Sequence, residues 1–134
     1  MNRLHAKLLS FESEGELSRV VLECRGRKFT SLVIDIDSLG GLESGEAMEI
    51  LFKETEVVLA TKDSLVSASN AFVSKVKRVQ KGKILSEVTF DFEGDEVCSL
   101  ITSASLERLG VAEEKEFLWF VKANEITLQR GRGC

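Results

Sequence analysis

Proline and tyrosine are absent from this chain of 134 residues, and histidine and tryptophan occur once each. Without proline, no segment is barred from the interior of a sheet, because every residue keeps its ladder donor; long strands are compatible with that. Eight phenylalanines and one tryptophan, most of them in apolar runs, make a poor platform for stacking single-stranded bases. The three cysteines, Cys24, Cys98 and Cys134, form no C-x-x-C pair, and His5 is remote from them, so no zinc pattern exists. Cys24 and Cys98 lie in apolar strand-like runs and read as core thiols; Cys134 is terminal. No apolar run approaches the roughly 20 residues that cross a bilayer. The stretch "MNRLHAKLLSFESEGE" turns acidic too early for a secretory signal, so a cytoplasmic protein without a membrane partner is expected. Positive charge is not in excess either: the net charge of −4 argues against direct nucleic-acid binding. The basic run "KVKRVQKGK" (75–83) alternates along a strand, as a solvated face does. A lone histidine with no nucleophile motif and no metal-ligand cluster argues against an enzyme.

What is present is a repeat. Displacing the sequence by 68 residues sets Asn2 on Asn70, Lys7 on Lys75, Ser18 on Ser86, Val20 on Val88, Gly26 on Gly94 and Ser31 on Ser99. Apolar positions follow, with Leu4 on Phe72, Leu8 on Val76 and Leu22 on Phe90. After small indels "DSLGGL" (37–42) lies over "ASLERL" (104–109), and "LFKETEVVL" (51–59) over "FVKANEITL" (120–128). Two divergent copies are expected, at 1–62 and 63–134, meeting near "TKDSLVSAS".

Each copy reads as strands. In the second, "AFVSKVKRV" and "SEVTFDF" alternate, "EGD" is a hairpin signal, and "EVCSLIT" returns. The period then changes in "SASLERLGV": Ser103 or Ser105 can cap a short helix and Gly110 can close it. Two short strands follow, 116–122 and 125–129. Five strands with a helix between the third and fourth predict an all-β fold of two tandem OB-like five-stranded barrels, with one short helix per repeat. A copy of about 60 residues buries little apolar surface by itself, so packing together and homo-oligomerisation, as a dimer or trimer of tandem units, are expected.

Several short motifs in the second copy occur in a familiar order: "SASN" (67–70), "ITSAS" (101–105), "RLG" (108–110) and "VKANEITL" (121–128). In that order the segment 67–129 resembles the Mop, or molybdenum-pterin-binding, domain of the TOBE superfamily, and the first copy resembles a weaker member. The resemblance implies a tandem Mop protein that binds molybdate or tungstate, with no covalent cofactor, at interfaces between Mop units, for storage, homeostasis or sensing. It places Ser67, Ala68, Ser69 and Asn70 on one side of the anion. Thr102, Ser105 and Lys122, with the backbone around Ala123 and Asn124, fall on the other. Ser69 stands where the family pattern S-A-R-N has arginine. In the first copy Ile34 replaces Thr102, Asp35 and Asp37 are repelling carboxylates, and Ser38, Lys53 and Thr55 remain as its candidates.

The chemistry of these residue types suits the assignment. A tetrahedral oxyanion needs convergent donors, and hydroxyls, a turn of backbone N–H groups and a lysine supply them. A helix start near Ser105 adds a favourable dipole end. The alternative from another class is a protein-interaction or regulatory OB tandem that has lost its ligand. In that case "SASN" is a connector, Thr102 and Ser105 only cap a helix, and the two lysines are solvated strand ends.

Overall fold

A computed structural model describes residues 1–131; Cys134 lies outside them. The first copy folds as β1 (Asn2–Glu14), β2 (Leu17–Cys24), β3 (Arg27–Ile34), β4 (Ala47–Phe52) and β5 (Val58–Ala60). The second gives β6 (Asn70–Gln80), β7 (Leu85–Phe92), β8 (Asp95–Thr102), α1 (Ser103–Leu109), β9 (Glu116–Val121) and β10 (Thr127–Arg130). The strands expected in the second copy are therefore all present, in the expected order. No helix among the described residues is long and apolar enough to cross a membrane.

The chain builds two five-stranded sheets, ordered β10-β4-β1-β2-β3 and β5-β9-β6-β7-β8. The compact units cut across the repeat. One comprises Met1–Asn2 with Lys53–Val121, and the other Arg3–Phe52 with the described residues from Lys122 to Gly131. The last short strand of each copy thus completes the sheet of the other: β5 pairs β9, and β10 pairs β4.

In the unit of β6–β9, alternation puts Phe72, Val76, Val88, Phe90, Phe92, Val97 and Trp119 inside. Phe72, Phe92 and Trp119 pack with ring centroids 5.1–5.5 Å apart, and the Trp119 indole N–H donates to Ser74 at 2.9 Å. Glu93 and Gly94, both at positive φ, make the two-residue turn between β7 and β8 that right-twisted strands favour. Register slips by one residue between Val76 and Arg78, a bulge that bends β6 so that the sheet curls. The edges are drawn together by the buried Ser99 of β8, whose hydroxyl donates to the Val57 carbonyl just before β5, at 2.7 Å.

The unit of β1–β4 repeats each device at the matching position. Arg25 and Gly26 form its positive-φ turn, its bulge falls between Leu8 and Ser10, and buried Ser31 donates to the Ile126 carbonyl at 3.2 Å. Its core is Leu4, Leu8, Val20, Leu22, Phe29, Met48, Ile50 and Phe52.

One expectation needs correction. Only the second copy has an α-helix; the first has a 3₁₀ turn, Ile36–Leu39. Asp35 before it sits at φ 56 without a side-chain cap, and Gly40 follows at φ 71, so neither end favours helix growth. Arg130 of β10 instead binds the exposed carbonyls of this turn, donating to Leu39 at 3.0 Å and to Gly40 and Gly41.

Candidate functional site

Thr102 ends β8 and caps α1: its Oγ1 accepts the Ser105 N–H at 3.1 Å. The cap is therefore neither Ser103 nor Ser105. Ser103 is turned inward, where its hydroxyl donates to the Gly82 carbonyl and lies 2.7 Å from the Ser86 hydroxyl. Its N–H donates to Ile84 at 2.8 Å, so the start of α1 is fixed to the β6–β7 turn. Gly110 closes the helix at φ 68, as expected. With seven residues α1 carries little dipole, so charge at this place must come from side chains.

The two candidate hydroxyls are together. Thr102 Oγ1 donates to Ser105 Oγ at 2.9 Å, with Thr102 exposed and Ser105 half-buried. A third residue joins them: the Arg108 guanidinium donates to Ser105 Oγ at 3.1 Å. The sequence reading did not single out Arg108. The signal was its spacing, since residues three apart are neighbours on a helix. The adjacent carboxylate, Glu107, is engaged elsewhere. A hydrogen bond from Lys81, and then the charge of Lys81, hold it below the usual glutamate range.

Ser67, Ala68 and Ser69 lead into β6, with both serines exposed; none of the three has another hydrogen-bond partner among the described residues. Asn70 differs. It is fully buried at the start of β6, opposite Val121. The matching Asn2 shows what such an amide does: it donates to the Cys98 carbonyl and accepts the Cys98 N–H, both at 2.8 Å.

Lys53 and Lys122 occupy equivalent places, each opening a 3₁₀ turn, Glu54–Glu56 and Ala123–Glu125. Their backbone N–H groups are held by the carboxylates of Glu56, at 2.9 Å, and Glu125, at 3.1 Å. The shared K-x-x-E pattern is thus a local turn device, visible in "KETE" and "KANE". Both ammonium groups are exposed and without a partner among the described residues. Thr55 and Asn124 are exposed, and Ala123 is buried. Lys53 and Thr55 belong to the compact unit that holds Ser67–Asn70, Thr102 and Ser105, whereas Lys122–Asn124 belong to the other.

In the first copy Ile34 is 72% exposed and pairs across strands with exposed Leu17, where the second copy pairs Thr102 with Leu85. Asp35, Asp37 and Ser38 lie at the 3₁₀ turn bound by Arg130. Cys24 is buried and Cys98 half-buried, and neither forms a disulfide among the described residues. His5 is exposed on β1.

The TOBE domain model matches residues 66–128. Molybdenum-pterin-binding protein 3 of Clostridium pasteurianum is 36% identical over 64 residues, which are 47% of this chain and 94% of the relative. Among solved structures, the cytoplasmic molybdate-binding protein ModG with molybdate bound superposes with a TM-score of 0.90 at 23% identity. That match covers 97% of this chain and 96% of the other, and it shows the fold.

Proposed function

We propose that this chain, which belongs to the TOBE-domain family of molybdenum-pterin-binding proteins, is a non-catalytic, cytoplasmic binder of a tetrahedral metal oxyanion, molybdate or tungstate. The observation that carries the proposal lies inside the segment that matches the family. There the hydroxyls of Thr102 and Ser105, and the donors of Ser67–Ser69, sit at the surface without a structural task that consumes them all. Convergent hydroxyls and backbone N–H groups are what a dianion needs in a protein whose net charge is negative. Lys122, and in the first copy Lys53, are ammonium donors suited to the same class of ligand. Completion of each site by a neighbouring Mop unit in a homo-oligomer follows the family pattern, and storage, homeostasis or sensing of the anion is the role such binding serves.

Calorimetric titration of the full chain with molybdate, tungstate and sulfate tests this. Saturable binding of molybdate or tungstate tighter than about millimolar, some 4 kcal/mol, is expected. Ser105→Ala and Lys122→Ala should each weaken it by about 1–3 kcal/mol. Failure of both metal oxyanions to bind in that range would overturn the proposal. It would favour the second reading, an interaction or regulatory OB tandem, which the exposed Leu17, Leu32 and Ile34 of the first copy support.

A further inference from the structure

We infer that Arg108 is a ligand-contacting, specificity-determining residue of the anion site, an inference that rests on the oxyanion reading above. A proton count at Ser105 carries it. Ser105 Oγ accepts the Thr102 hydroxyl at 2.9 Å and the Arg108 guanidinium at 3.1 Å. A serine hydroxyl has two lone pairs and one proton to give. Both lone pairs are occupied, so the proton of Ser105 is turned away from Thr102 and Arg108 alike. Thr102 has no proton left to offer, since its own goes to Ser105 while its oxygen takes the Ser105 N–H. The free donor of the pair is therefore the Ser105 O–H, and a cation bonded to its oxygen makes it a stronger one. The cluster thus presents the Ser105 O–H and the remaining Arg108 N–H groups as donors, beside one unused lone pair on Thr102 Oγ1, and this excess of donors suits an anion.

Arg108 supplies more than polarisation. Its remaining N–H groups have no other partner among the described residues, and a planar guanidinium fork suits two oxygens of one oxyanion. Among the described residues Arg108 is the cation bonded to this hydroxyl pair. Arg108 thus sets a positive charge beside the Thr102–Ser105 hydroxyl pair, and the ligand class it fits is a dianion with adjacent oxygens, such as molybdate or tungstate. An i, i+3 contact between serine and arginine also arises on helices with no ligand, so the test must separate binding from helix support.

Molybdate titration of the full chain as wild type, Arg108→Gln, Arg108→Lys and Arg78→Gln makes that separation. Arg78 pairs with Glu96 rather than α1 and reports diffuse charge effects. Arg108→Gln should lose about tenfold or more in affinity, as expected for a charged hydrogen bond, with the melting temperature of the ligand-free protein unchanged. Arg108→Lys should fall between, and Arg78→Gln should bind as wild type. Wild-type affinity in Arg108→Gln, an equal loss in Arg78→Gln, or a parallel loss of ligand-free stability in Arg108→Gln would each overturn the inference while leaving the oxyanion reading standing. A wild type that does not bind molybdate would instead remove that reading, and the inference with it.

Discussion

Two serines separated by six positions do opposite work in this protein. Ser99 is fully buried and gives its proton to the Val57 carbonyl, whereas Ser105 is half-buried and its oxygen accepts from Thr102 and Arg108. Ser99→Ala would leave a buried carbonyl without its donor at the point where the sheet edges are drawn together. It should lower unfolding free energy by about 1–3 kcal/mol, read from the urea midpoint. Ser105→Ala should move that midpoint little and act on anion affinity instead. A Ser99→Ala variant as stable as wild type would mean that the edge contact contributes nothing. Ser31, which the repeat sets on Ser99, makes the matching bond to Ile126 in the other unit. Its retention in both copies was visible in the sequence, but its purpose was not, because the acceptor lies 95 residues away.

The elements themselves were legible where local chemistry decides them. Alternating apolar residues gave β6 and β7, and the "EGD" turn gave the β7–β8 hairpin, whose Glu93–Gly94 pair at positive φ is repeated by Arg25–Gly26 in the first copy. The first-copy helix was not foreseeable as a 3₁₀ turn from its alignment with "ASLERL", because the left-handed backbone at Asp35 and the Arg130 contacts depend on tertiary context. Arg108 escaped for a related reason: α1 was foreseen, but which side chains meet on its surface was not followed through. At this scale the Lys81–Glu107 pair ties α1 to the start of the β6–β7 turn. Hydrogen bonding and charge from Lys81 depress the Glu107 carboxyl. A carboxyl depressed by folding contributes above its unfolded value, and the contribution fades as pH falls through the depressed one. An NMR titration of the Glu107 carboxyl should give a midpoint below the ordinary glutamate value, and Lys81→Gln should raise it. An unmoved midpoint would show that the pair does not persist in solution. The pair is exposed, so salt should weaken it.

For the whole molecule, the repeat in the sequence and the compact units in space are different partitions of one chain. The sequence displays the first because similarity is local. The second depends on which sheet accepts each terminal strand, and that is set by pairing across large separations. Because β5 completes β9 and β10 completes β4, a fragment 63–134 lacks the strand that covers β9. An uncovered edge is a template for association. That fragment should form concentration-dependent oligomers in sedimentation experiments, and adding fragment 1–62 should convert them to a one-to-one complex. A fragment 63–134 that stays a folded monomer at all concentrations would contradict the exchange of strands.

Anion retention by the intact chain is the most direct test of the functional account. Equilibrium dialysis against sub-millimolar molybdate, with protein-bound molybdenum quantified by elemental analysis, should show molybdenum retained by the wild-type chain and displaced by tungstate. The Thr102→Val/Ser105→Ala double variant should retain far less. Equal molybdenum on both sides of the membrane with wild-type protein, or undiminished retention by the double variant, would contradict it.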